Sequence, residues 1–422
     1  MTAPGPSLFY STRSERIALA RQRYFEEGHL PSGVVSDAVY ESWARCQRLH
    51  SGPAQKVEFE PVSTSRTHLA LQKNRDLMQA WLDELPQLQA VLGTTSCAAM
   101  LTDPTGVLID ATCVGRAHEM LMPIATRTGV NLCEEAVGTT APGVAARTGQ
   151  AVSVLAGEHY FDSVKEMHCV AAPIRDTRGK IAGVLDISSE TIPFRFEASI
   201  VVGLYAAGIE NRLLVSQSAE HLVIRFQVDA KLLDSHFAAL VGIDGDGALA
   251  WMNGTAARLL GLSSAMRPHE RPPVDAAMGA GVSQLASLPS TGSAFLLLAN
   301  GLMVCARAEM RAADGHRHLV PGWRDAAAMA TPQPVKAIAA THVPAHPRDS
   351  AKAQITADPD SGGRTKAGAL PPGSESPNAD LRDSSKHIIE QTLERNGGNV
   401  SKAARTLGVS RGLIYRHLGV RK

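Results

Sequence analysis

The 422-residue sequence has no run of eighteen apolar residues, so no membrane-spanning helix is expected. Residues 1–10 lack a basic stretch followed by an apolar one, so a secretory leader is not expected either. The six cysteines, at 46, 97, 113, 133, 169 and 305, are scattered and form no C-x-x-C. That excludes a disulfide framework and the strong zinc spacings, and it fits reduced, buried thiols in the cytoplasm. No G-x-x-x-x-G-K-[ST] loop is present to cradle a nucleotide phosphate, no H-E-x-x-H to hold a catalytic zinc, and no internal repeat. Net charge is also nearly absent, at +1, but it is unevenly placed. Residues 380–422 carry nine Lys and Arg against four Asp and Glu, a balance of +5, and the rest of the chain stands at −4. A basic tail on a mildly acidic body points to nucleic-acid contact by the tail alone.

The tail is the most informative stretch. Asn399 can cap a helix whose apolar positions are Val400, Ala403, Ala404 and Leu407. Gly408 can end that helix in a left-handed turn, and Ser410 can cap a second one burying Ile414 and Leu418. Two short helices joined by a glycine turn make a helix-turn-helix. On the second helix Arg411, Gly412, Tyr415 and Arg416 share one face, a pattern suited to guanine edges and phosphates in the major groove. This stretch resembles the Fis-type helix-turn-helix of bacterial transcription regulators. Gly398-Asn399, Ala403-Ala404-Arg405, Leu407 to Arg411 and Leu413 to Arg416 carry the likeness. Leu413 stands where that family has a small hydroxyl residue. The resemblance implies DNA contacts from Asn399, Ser410, Arg411, Gly412, Tyr415, Arg416 and Lys422, and a homodimer on a palindromic operator in double-stranded DNA.

Upstream, residues 1–64 read as an N-terminal helical segment, with helices over 14–27 and 34–48. Residues 65–92 read as a long helix broken at Pro86. Strand–turn–strand patterns follow around Asp103 to Gly106 and Asp176 to Gly179, and then a long helix over 192–217. Antiparallel hairpins between helices predict an α+β domain over 65–217. Its segment order resembles a GAF domain, and more closely the sensory half of acetoin-catabolism-type regulators. Ser42-Trp43-Ala44-Arg45-Cys46, Gly138-Thr139-Thr140, Gly157-Glu158-His159, Ala171 to Asp176 and Gly183 to Ser188 are among the residues that carry it. Leu132 and Thr140 depart from the family's usual Trp and Asn. The resemblance implies an unidentified small-molecule effector, with Asn131, Glu135, Thr139, His159 and Cys169 as the effector-site residues.

Residues 228–312 read as a degenerate PAS-like α+β module, with a turn at Asp244 to Gly247 and a hairpin around Asn300-Gly301. Residues 313–378 turn to Ala, Pro, Ser, Thr and Gly and read as a disordered linker. The whole is a multidomain α+β chain ending, over 379–422, in an all-α Fis-type unit. Many proteins it resembles place an ATPase between sensor and tail. Here the P-loop is missing, as is the G-A-F-T-G-A segment by which that class touches the sigma-54 form of RNA polymerase. The expected function is a cytoplasmic, sequence-specific transcription regulator, not an enzyme, acting without ATP hydrolysis and with no cofactor or metal. Two alternatives stay open. One is a dimeric ligand- or partner-binding interaction protein. The other is a metal- or thiol-dependent sensor drawing on Cys97, Cys113, Cys133, His159, His168 or Cys169.

Overall fold

The computed structural model describes residues 12–310, except 30–32, 114–117, 264, 265 and 267, and beyond them only Gln391, Thr392 and Lys402. The expected linker and, apart from those three residues, the expected helix-turn-helix lie outside the described residues.

Two capped helices open the chain. Helix α1, Arg13–Phe25, begins at Thr12, whose hydroxyl accepts from Glu15 N while Glu15 reaches back to the Thr12 N–H. Helix α2, Asp37–Leu49, is capped by Ser36. Helices α3, Thr64–Lys73, and α4, Arg75–Leu92, follow. The expected break at Pro86 is corrected: the helical run breaks at Asn74, and α4 passes through Pro86 unbroken. Proline costs the hydrogen bond to Leu82, but both residues face solvent, where water can meet the freed carbonyl. The opposite face, with Leu77, Trp81, Glu84 and Leu88, is buried.

A five-stranded antiparallel sheet comes next. It takes β1, Ala98–Thr102, and β2, Leu108–Ala111. After the short helices α5, Met122–Ala125, and α6, Glu134–Val137, and helix α7, Ala141–Thr148, it takes β3, Val152–Leu155, β4, Met167–Arg175, and β5, Ile181–Glu190. Its order is β2-β1-β5-β4-β3. Both D-x-x-G turns work alike. Asp103 Oδ1 accepts from the N–H groups of Thr105 and Val107, and Asp176 Oδ1 from those of Arg178 and Lys180. Gly106 and Gly179 take the left-handed positions, at φ +85° and +74°.

Helix α8, Ala198–Ser216, lies with α4 on one face of this sheet, through Val202, Ile209 and Leu213. Helices α2 and α7 cover the other, through Trp43, Cys46, Val144 and Ala145. By length and composition α8 is apolar enough to cross a membrane. Here its apolar faces are spent on protein. Leu214 and Val215 at its end pack against a second sheet, which is why it is apolar nearly all round.

That second sheet runs β8-β7-β6-β10-β9, all antiparallel. Its strands are β6, Leu222–Gln227, β7, Ala239–Ile243, β8, Leu249–Met252, β9, Ala294–Leu297, and β10, Met303–Met310. The helices α9, Gly254–Leu260, α10, Val274–Met278, and α11, Val282–Ala286, cover its inner face. The central strand β6 stands ahead of residue 228. The turn before β8 repeats the aspartate device: Asp244 Oδ1 accepts from the N–H groups of Asp246 and Ala248. Between the sheets, Glu84 accepts from Arg212 Nε at 2.5 Å and meets His236 Nε2 at 2.8 Å. Burial works to raise its pKa, but the hydrogen bonds and charges of these two partners together outweigh it and hold Glu84 below the usual carboxylate range.

The N-terminal helices are held by Arg21. Its guanidinium donates to the carbonyls of Gly157, His159 and Tyr160 and to Asp162 Oδ1, and it lies 5.0 Å from the Phe25 ring centre. Only a planar fork reaches these acceptors together. Arg21→Lys should cost about 3 kcal/mol, read from urea unfolding. A loss below about 0.5 kcal/mol would show that α1 docks through its apolar contacts alone.

Candidate functional site

Alternation along β5 sends Leu185 and Ile187 toward α4 and α8, and Val184, Asp186, Ser188 and Glu190 toward α2 and α7. Three polar side chains therefore stand in a row on the covered face of a sheet, all buried. Glu190 is satisfied: its carboxylate accepts from the N–H groups of Met120, Leu121 and Met122, fixing the segment that enters α5. Ser188 donates to Asp186 Oδ2 at 2.6 Å. Asp186 Oδ1 has no hydrogen-bond partner. Its neighbours across the sheet are Met100 on β1 and Ala171 on β4. Burial pushes the Asp186 carboxyl up to about 7, against the pull of Ser188.

Beside Ser188 on β4 is Cys169. Its sulfur lies 3.4 Å from His159 Nε2, while His159 Nδ1 is 2.9 Å from the Ala156 carbonyl. A carbonyl only accepts, so Nδ1 carries the proton and Nε2 offers its lone pair to the thiol. Burial holds His159 down to about 4, so the ring is neutral. Burial and the nearby Asp186 push the Cys169 thiol up. A neutral imidazole facing a protonated thiol is not the ion pair that a nucleophilic cysteine needs. His159 and Cys169 are thus both uncharged, and through Ser188 they stand next to Asp186, whose Oδ1 stays open.

A second polar contact ties α2 to the loop before α7. Thr139 Oγ1 is 2.8 Å from Ser42 Oγ and 3.5 Å from Cys46 Sγ. One helical turn away, Arg45 grips Glu134 with two bonds of 2.7 Å. Of the five residues expected at the effector site, the structure thus joins His159 to Cys169 and sets Thr139 against α2. Asn131 turns its amide oxygen to Cys133 N, and Glu135 is exposed on α6. Sequence pattern alone does not mark Asp186 and Ser188 within the Gly183 to Ser188 segment. The available signal was an acid in the middle of an apolar strand. Among the described residues no three of His, Cys, Asp and Glu are grouped to hold a metal. A surface cleft of about 820 Å³ between α1 and the 156–168 segment is lined by neither Cys169 nor Asp186. The residues expected to touch DNA, from Asn399 to Lys422, lie outside the described residues.

The MimR N-terminal domain family matches residues 13–199, and the Fis family of bacterial regulatory proteins matches residues 380–419. The acetoin catabolism regulatory protein of Cupriavidus necator is 27% identical over 237 residues, covering 55% of this chain and 36% of that protein. The chain is thus similar to acetoin-catabolism regulators and carries a match to the Fis-type helix-turn-helix. The acetoin dehydrogenase operon transcriptional activator AcoR of Bacillus subtilis is 30% identical over 169 residues, 40% of this chain and 28% of that one. The chain thus spans about a third of the length of these curated relatives. The solved Escherichia coli DhaR(N)–DhaL complex covers 68% of the chain at 15% identity, with a TM-score of 0.40. No P-loop sequence stands between the two regions matched in this regulator-like chain.

The raised Asp186 pKa makes a testable asymmetry. The folded state holds this proton more tightly than the unfolded chain. The stability it contributes is therefore complete below the ordinary carboxyl pKa near 4 and is lost as pH rises to about 7. Asp186→Asn should gain on the wild type by on the order of 3 kcal/mol between those limits. Parallel chemical denaturation at several pH values measures it, and a pH-independent difference would mean that the carboxyl is hydrated in the fold.

Proposed function

We propose that this chain is a DNA-binding transcription regulator in which a GAF-like sensor over residues 65–217 responds to a small effector and the Fis-type tail reads an operator. The observation that carries the reading is the pairing, in one chain, of a MimR-type N-terminal domain with a Fis-type helix-turn-helix and no nucleotide-binding loop between them. A regulator so built works without ATP hydrolysis, by recruiting polymerase or by occluding it. The basic balance of the tail supports DNA as its partner. Two-fold operators match dimers, so the working unit is a homodimer whose recognition helices enter successive major grooves. The names of the relatives concern acetoin, a small neutral hydroxyketone, which supports a small effector for the sheet face beneath α7. Helix α8 runs from that sheet to the outer face of the second one, the PAS-like module, and so offers a physical path for an effector-dependent change of dimer geometry.

Two experiments test this. Arg411→Ala should weaken operator binding by about 1–3 kcal/mol in a gel-shift titration at fixed salt. An unchanged affinity removes Arg411 from the recognition face. Deleting residues 380–422 should abolish operator binding while the remainder keeps its cooperative thermal unfolding. Operator binding retained by that truncation would place the DNA contact elsewhere in the chain.

A further inference from the structure

The edge of a sheet carries unpaired N–H and C=O groups, and a folded chain covers such an edge or guards it with charge. Two edges are closed here from within. On β2 the Leu108 N–H donates to the Val130 carbonyl, and the Leu108 carbonyl accepts from the Gly129 N–H, both at 2.8 Å. On β8 the Arg271 guanidinium donates to the carbonyls of Leu249 and Ala250. Strand β9 forms the opposite edge of that second sheet and has neither device. Among the described residues no loop backbone or side chain bonds Phe295. Charge does not guard the strand either, since no Asp, Glu, Lys or Arg stands between Asp275 and Arg307.

The β9–β10 hairpin fixes which backbone groups are open. Its closing bond runs from the Leu298 N–H to the Leu302 carbonyl, at 2.9 Å. Bonded and non-bonded pairs alternate along an antiparallel ladder. Ala294 and Leu296 therefore bond β10, while Phe295 and Leu297 turn their N–H and C=O groups to the free edge. The backbone of Gly279 packs on the Leu297 carbonyl, which leaves Phe295 at the middle of the open stretch. The side chains agree. Helix α8 covers the outer face only over β6, β7 and β8, through Leu214 and Val215. Beyond it Phe295, Leu297 and Met303 share that face and are 78%, 54% and 52% exposed. An open edge beside an apolar face takes another strand. A two-fold contact sets a residue against its own copy, which an uncharged edge tolerates and a charged one resists. We propose that β9 is a self-association edge. The β9 strands of two copies pair antiparallel about a two-fold axis at Phe295, each Phe295 N–H donating to the Phe295 carbonyl of the other. The two five-stranded sheets then continue edge to edge, and the two rings meet on the outer face between Leu297 and Met303. So small a contact belongs to the weak, concentration-dependent class of interfaces.

The assignment rests on the reading of the working unit as a homodimer. Full-length protein is followed by sedimentation velocity over a wide range of concentration, free and with operator DNA. The free wild type should pass from monomer to dimer as concentration rises. Phe295→Lys should raise the dimer Kd at least about tenfold, because it removes the ring contact and sets two like charges on the axis. Phe295→Glu should do the same. Both should keep cooperative unfolding, since Phe295 is exposed. An equimolar mixture of the two variants should recover the dimer, because opposite charges then face each other. Should the charged variants not fold, Phe295→Ser, which only shortens the side chain, should weaken the dimer about tenfold. The edge is overturned, and the homodimer reading kept, by a wild-type dimer whose Kd is unchanged in Phe295→Lys or Phe295→Ser. A mixture that stays monomeric overturns the two-fold axis at Phe295. A wild type that is monomeric at every concentration overturns the edge, and one that also binds its operator as a single copy overturns the homodimer reading with it.

Discussion

The sheet β2-β1-β5-β4-β3 is covered on both faces, and that constraint decides where polar side chains can stand. Helices α4 and α8 exclude water from one face, and α2 and α7 from the other. Strands β4 and β5 must then be largely apolar on both sides, and most of their side chains are buried. A carboxylate in such a strand needs partners from the covering layer, as Glu190 has, or it stands out, as Asp186 does. The neutrality of His159 and Cys169 has the same origin. Neither group reaches water, so each keeps the uncharged form.

Burial on both sides also explains α8. A helix facing one sheet needs an apolar stripe; one that leaves the first sheet and ends on a second needs apolar residues around its circumference. Where small size is required α8 has it: a side-chain carbon at Gly208 would lie 2.3 Å from His236. Close packing there brings Glu84, Arg212 and His236 together, so one buried carboxylate ties the helix layer of the first sheet to the segment entering the second.

Much of the α+β architecture was legible because its turns are local chemistry. Each of the three D-x-x-G segments places an aspartate oxygen over two following N–H groups, and an Asp and a Gly at that spacing announce it without tertiary information. What depends on distant partners was not legible. Pro86 reads as a break because sequence does not show that its lost bond faces solvent. Strand β6 resembles any short apolar run until its neighbours β7 and β10 are known. The polar cluster was half visible. His159 and Cys169 announce themselves by residue type, but which face of β5 Asp186 takes follows only from the pairing of β1, β4 and β5. Asn131 and Glu135 belong to turns and surface, where polar residues need no ligand to be stable.

The position of β6 in its sheet carries a consequence for synthesis. This strand is the centre of the second sheet, yet it leaves the ribosome before any of its partners. It can pair with β7 within a few residues, but its other edge waits for β10, and Leu222 finds Met310 only when that strand has been made. Until then an apolar strand presents open N–H and C=O groups to whatever is near. The finished α8, already seated on the first sheet, shields one side of β6 during that interval through Leu214 and Val215. If the first sheet forms first, α8 is a platform for the second, and a slow translation step between residues 228 and 302 would lengthen the time for which that platform alone protects β6.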